Sequence, residues 1–149
     1  MSLLSLLLFS LLGADISFGE PTDGFITKTP KIIIKTDPVT RNPKWVLEYM
    51  VRDQLIGSAT RKNLFIEDHR VPDWAESSSE VYKFSGFDRG HLAAAGNYVS
   101  SQSENDYTFL MTNICPQTPT LNRDIWLSIE NEVRALVSQP STIEAWVIT

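Results

Sequence analysis

Asp88-Arg89-Gly90-His91 is followed further along the chain by Asn122, Glu130 and Arg134, and this set governs how the remainder is read. It combines an imidazole, an amide oxygen, two carboxylates and two guanidiniums, the equipment for hydrolysing a phosphodiester around one hard cation. An imidazole of ordinary pKa, about 6.5, can take a proton from water near neutrality. Its other ring nitrogen needs a partner to select the useful tautomer, and a backbone carbonyl or Asp88 would serve. Gly90 is expected to let the backbone turn sharply beside the histidine and approach a ligand. Asn122 offers an oxygen to Mg²⁺, an ion that prefers oxygen ligands and keeps several waters, so one protein ligand can suffice. Glu130 can accept a hydrogen bond from a metal-bound water. Arg89 and Arg134 carry planar, permanently charged forks suited to phosphate oxygens and to the added charge of a pentacovalent transition state.

Taken singly, each residue has a plainer reading. A lone histidine is usually a surface or capping group. An asparagine opening a helix is a favoured N-cap, and a glutamate four residues before an arginine is commonly an exposed ion pair of little energetic weight. Arg61, in the upstream loop, either serves phosphate as Arg89 would or is solvated surface. Asn113 either orients the site or satisfies the Cys115-Pro116 turn. Their company with the Asp-Arg-Gly-His block favours the functional reading.

Length and composition bound the rest. At 149 residues the chain fits one domain with one hydrophobic core. With 42% hydrophobic and 21% charged residues, disordered, coiled-coil and collagen-like classes fall away. A net charge of -5 means that any nucleic-acid contact must come from a local basic cluster and not from a global field. One cysteine, Cys115, excludes an intrachain disulfide, and with only His69 and His91 as imidazoles an all-His/Cys zinc site is excluded too. Cys115 reads as a small buried hydrophobe near a strand end. There is no G-x-S-x-G elbow and no P-loop.

Leu3 to Leu12 is uncharged and mostly apolar, too short for a transmembrane helix but suited to a signal-peptide core, with Ser17-Phe18-Gly19 at plausible cleavage positions. Residues 1–19 are therefore expected to be a leader sending the chain to a secreted or extracytoplasmic destination. A mitochondrial address is the alternative; the lack of Lys or Arg before Lys28, and Asp15, Glu20 and Asp23, argue against it. Beyond the leader no repeat or linker marks a second boundary, so one domain is expected from about Gly24 to Thr149. Strands are predicted over Lys31 to Lys35, Trp45 to Val51, Asn63 to Ile66, Tyr107 to Ile114 (alternating and closed by Pro116) and Ile143 to Thr149. Gly57 to Gly86 reads otherwise as a long irregular connection. Leu121 to Leu136 has the period of an amphipathic helix, with Ile125, Ile129, Val133 and Leu136 or Val137 as its apolar stripe and Trp126, Glu130 and Arg134 beside it.

Gly86-Phe87-Asp88-Arg89-Gly90-His91-Leu92-Ala93-Ala94-Ala95-Gly96-Asn97, Thr112-Asn113-Ile114-Cys115-Pro116-Gln117 and Leu121-Asn122-Arg123-Asp124-Ile125-Trp126, with Glu130 and Arg134, together resemble the DNA/RNA non-specific endonucleases of the ββα-metal class. Similarity extends through Asp37-Pro38-Val39-Thr40-Arg41 and Trp45-Val46-Leu47-Glu48, so it covers about Gly24 to Thr149. The resemblance implies an α+β fold with a mixed or antiparallel β-sheet and a ββα finger, its histidine on a β-hairpin segment and its metal-binding asparagine on the following helix. It also implies Mg²⁺-dependent, Mn²⁺-tolerant cleavage of DNA and RNA to 5′-phosphate and 3′-hydroxyl ends. Carried over by position, His91 is the general base and Asn122 the metal ligand. Glu130 supports the metal, Arg89 and Arg134 bind phosphate, Arg61 matches an upstream arginine and Asn113 a supporting asparagine. DNA and RNA are the expected partners, without a stable membrane span; homodimer formation is left open.

Family members normally continue past Ile148-Thr149 with a Gly-Pro turn and further strands, so the expected domain is truncated on its C-terminal side. The competing reading is a catalytically defective nucleic-acid-binding or regulatory fragment. Intact His91 and Asn122 favour the enzyme.

Overall fold

β-Branched residues build the first long strands, and a computed structural model, which describes residues 24–142 and 144–149, shows how they pair. β1 (Phe25–Lys28), β2 (Ile32–Asp37) and β3 (Asn42–Met50) form an antiparallel meander. β4 (Asp88–His91) and β5 (Ile114–Gln117) make a separate two-stranded antiparallel ribbon, and β6 (Ala145–Ile148) returns to pair with β3 at the sheet edge. Ile32, Ile34 and Val46 point to one face and bury there against Ala93 and Tyr98, with Leu92 packed on them. The residues just after β4 are thus held by the sheet core. The leader expected at 1–19 lies outside the described residues.

Several boundaries differ from expectation. β1 has no counterpart in the predicted strands. β3 begins at Asn42 and runs through Pro43, which sits opposite Thr36 where the register shifts between Lys35 and Thr36. A bulge is one of the few places where a sheet tolerates a residue without an N–H. Residues 51–87 are irregular apart from short 3₁₀ turns at Arg52–Leu55, Asp73–Ala75 and Ser79–Tyr82. The strand predicted over 63–66 is reduced to a single bridge between Ile66 and Leu110.

The strand predicted over Tyr107 to Ile114 is not formed. α1 (Gln102–Tyr107) occupies its beginning, started by the Ser101 hydroxyl accepting the Glu104 N–H, and a 3₁₀ turn over Met111–Asn113 follows. Thr108 through Ile114 are all buried in succession, so no exposed face alternates with a buried one. Turn bonds from the Phe109, Leu110 and Asn113 N–H groups and the bridge to Ile66 replace the ladder, while Asn105 donates to the Ala95 and Tyr98 carbonyls and the Thr108 hydroxyl to the Asn105 carbonyl. The real strand, β5, starts where the predicted one was to end and contains Pro116, tolerated because this ribbon has only two strands.

The amphipathic segment is helical, opening with a wide π-type turn over Leu121–Trp126 that runs into α2 (Leu127–Val137). Val137 is buried, whereas Ile125, Ile129 and Leu136 are exposed. No helix among the described residues is long and apolar enough to cross a membrane.

Candidate active site

His91 ends β4 opposite Ile114, and its ring is only 5% exposed. Phe109 packs edge-on against it at 4.8 Å and Phe65 lies tilted at 5.6 Å. Nε2 is buried without a hydrogen-bond partner. Burial, then the positive charge of Arg61, lowers the imidazole pKa to about 3, so the free protein carries it neutral. Gly90 does not provide a turn: it lies within the strand, where an added Cβ would come within 2.3 Å of the Gln117 side chain. Its missing side chain lets the two strands approach.

Asp88 serves the helix and not the histidine. Its carboxylate accepts from the Arg123 Nε (2.8 Å) and Nη2 (2.7 Å) and from the Asn122 Nδ2 (3.0 Å), and these bonds hold it below the ordinary carboxylate range. Asn122 is therefore not an N-cap. Its own N–H donates to the Thr118 carbonyl inside the wide turn, and its side-chain nitrogen is committed to Asp88. A carboxylate can only accept, which fixes the amide orientation and leaves the Asn122 oxygen for a ligand. Trp126 adds a second tie, its indole N–H donating to the His91 carbonyl at 3.0 Å.

Two turns further, the Arg134 Nη1 donates to the Asn97 Oδ1 (2.9 Å) and Nη2 to the Asn131 Oδ1 (2.7 Å), with the Glu130 carboxylate 3.6 Å from Nη2. The guanidinium lies against Gly96, where a Cβ would stand 3.1 Å from Nη1. Burial raises the Glu130 pKa, opposed by Arg134 and Arg61.

These groups share a cavity of about 360 Å³. Arg61, His91, Asn122, Glu130 and Arg134 line it together with Gly96 and Asn105. Two guanidiniums against one carboxylate make this the local basic cluster that an acidic chain requires. Arg61 is placed by a 2.6 Å bond to the Asn63 Oδ1 and by stacking on Phe109 at 5.2 Å. Two expected members stand outside the lining. Arg89 is held on the Ser79 carbonyl (2.8 and 3.2 Å) and over the Phe65 ring at 5.2 Å. Asn113 is fully buried, accepting from the Ala93 N–H and donating to the Ala93 and Thr108 carbonyls, so it fixes the chain leaving His91. Residue types alone gave no role to Asp88 as the holder of Asn122, to Trp126 as a tie, or to Asn97 as the seat of Arg134. The signal for each was its place in the resembling blocks. Half-buried Cys115 pairs with Gly90 in the ribbon.

A two-stranded ribbon carrying a buried histidine, closed by a helix that brings an asparagine and a glutamate to the same cavity, is a ββα type of site. The chain belongs to the DNA/RNA non-specific endonuclease family, whose family model matches residues 14–149. It is 37% identical over 120 residues to human mitochondrial endonuclease G, covering 80% of this chain and 40% of that protein. Identity is 38% over 107 residues to the mitochondrial nuclease of Saccharomyces cerevisiae, covering 70% and 32%. The fold is similar to a crystal structure of an EndoG/EndoGI complex, with a TM-score of 0.78 and 31% identity over 87% of this chain and 54% of that one. The chain therefore spans well under half the length of these curated relatives.

Proposed function

We propose that the protein hydrolyses phosphodiester bonds of DNA and RNA without sequence specificity, using Mg²⁺ and tolerating Mn²⁺, and leaves 5′-phosphate and 3′-hydroxyl ends. The observation that carries this reading is the convergence of His91, Asn122, Glu130, Arg134 and Arg61 on one cavity. The donors suit a hard cation. Asn122 turns its oxygen away from Asp88, Glu130 adds a carboxylate, and neither Cys115 nor His69 is among the lining residues. Bound there, Mg²⁺ supplies charge neutralisation at the scissile phosphate and the leaving oxygen.

In this mechanism His91 takes the proton of an in-line water. An imidazole with a pKa of about 3 is a weak base; burial is the larger cause, and a phosphodiester anion that answers the Arg61 charge relieves only the smaller one. Arg61 and Arg134 bind phosphate, and Glu130 orients water around the ion. For Arg89 the same role requires its guanidinium to leave the Ser79 carbonyl. Phosphate contacts carry no sequence information, which is why specificity is expected to be weak.

Nicking of supercoiled plasmid tests the proposal, with Mg²⁺ or EDTA, for wild type and His91→Ala checked by circular dichroism. Metal-dependent nicking by wild type alone is the expected result. A folded His91→Ala protein that nicks at the wild-type rate overturns the base assignment, and a folded wild type that binds DNA without cutting it favours the binding fragment. The mitochondrial designations of the relatives support the mitochondrial destination over secretion; residues 1–23 fused to a fluorescent protein would report which holds.

A further inference from the structure

Glu48 is a buried ionisable group that the reaction just described leaves without a task. It lies on β3, 2% exposed, and its Oε2 accepts from the Asn97 Nδ2 (2.9 Å) and the Tyr98 hydroxyl (3.1 Å). The other end of the Asn97 amide accepts from Arg134. A carboxylate only accepts and a guanidinium only donates, so the amide between them has one permitted orientation. The chain from Glu48 through Asn97 to Arg134 is thus directional. Gly96 gives the guanidinium a flat seat, and Asn131 holds its other wing.

This arrangement is costly as packing. A carboxylate buried among neutral donors loses hydration that they only partly replace, so the set is held at a cost that packing alone does not require. Burial raises the Glu48 carboxyl to about 7, in line with that cost. Building on Arg134 as a phosphate-binding residue, we infer that Glu48 is a positioning residue: it orients Asn97, and Asn97 sets the plane in which the Arg134 guanidinium meets the phosphate. The main sheet then contributes to substrate geometry without a side chain in contact with substrate.

The test compares Glu48→Leu, which removes the acceptor, with Glu48→Gln, which keeps one oxygen, both in the full chain with Mg²⁺. Cleavage rates are measured with and without Arg134→Ala, alongside thermal melts. We expect Glu48→Leu, which leaves the Asn97 N–H and the Tyr98 hydroxyl unpaired, to melt below the wild-type temperature and its folded protein to lose about 10-fold or more in kcat, as small misplacements of an oriented group do. Glu48→Gln restores most of it. Arg134→Ala alone costs roughly 100-fold, and adding Glu48→Leu to it costs nothing further, because coupled residues are not additive. Tyr98→Phe, which spares the route to Arg134, keeps the rate. Wild-type activity in Glu48→Leu, or the same loss with and without Arg134, overturns the inference. Should Glu48→Leu not fold, Asn97→Ala measured in both Arg134 backgrounds decides by the same criterion. Wild-type activity in Arg134→Ala instead overturns the phosphate role on which the inference builds.

Discussion

Two clusters of buried polar side chains in this chain are finished in different ways. The Asp68 carboxylate, 2% exposed, is itself closed: Arg70 grips both carboxylate oxygens at 2.7 Å and Thr112 adds a third bond at 2.7 Å. Burial pushes the Asp68 carboxyl up, but these bonds more than offset it and the pKa is lowered. Around the cavity, charges are left open. The buried His91 nitrogen has no partner, and Glu130 meets Arg134 only at 3.6 Å. A closed cluster fastens the 51–87 connection to the fold; an open one keeps atoms available for a ligand at some cost in stability.

The sharpest way to break this contrast is to remove one group from each side. His91→Ala is expected to lower cleavage by about 1,000-fold, within the range for losing a general base, with its circular-dichroism spectrum retained. Asp68→Ala should do the reverse. It unpairs Arg70, whose side chain is 35% exposed, and the buried Thr112 hydroxyl, and should cost about 1–3 kcal/mol in urea unfolding, while the folded fraction cleaves at the wild-type rate. A slow but fully stable Asp68→Ala would dissolve the distinction.

Smaller effects sharpen it. Asn122→Ala should raise the Mg²⁺ concentration for half-maximal cleavage by about 10–100-fold; an unchanged metal titration would remove Asn122 from the ion. A subtler effect concerns pH. The acid limb of kcat/KM, which reports the free protein, should lie somewhat below that of kcat, which reports the substrate complex, because bound phosphate offsets the Arg61 charge, the smaller cause of the lowered imidazole pKa. Coincident limbs would mean that bound phosphate does not relieve the Arg61 charge at His91. For stability, folding lowers the imidazole pKa from 6.5 to about 3, so its contribution is complete above about 6.5 and is lost as pH falls toward about 3.

Much of the site was legible because its chemistry is concentrated in short blocks. His91, Asn122, Glu130, Arg134 and Arg61 converge as the motifs suggested. The helix was readable from its period, and β2, β3 and β6 from their apolar, β-forming runs. What could not be read depended on distant partners. Tyr107 to Ile114 alternates in residue type but is buried from Thr108 onward, and turn bonds, the bridge to Ile66 and the Asn113 side chain satisfy its backbone in place of a neighbouring strand. Gly90 is explained only by Gln117 across the ribbon, and nothing local shows that the Ser79 carbonyl lies within reach of Arg89. Glu48 looked like one more polar residue on a strand until Asn97 was seen on one side of it and Arg134 beyond.

The bond from the Trp126 indole to the His91 carbonyl places a fluorophore on the backbone of the proposed base. Any motion that parts the helix from the ribbon breaks that bond and changes the light the indole emits. With Trp45, Trp74 and Trp146 replaced by phenylalanine, the joint would become its own optical gauge, readable in real time as nucleic acid enters and leaves.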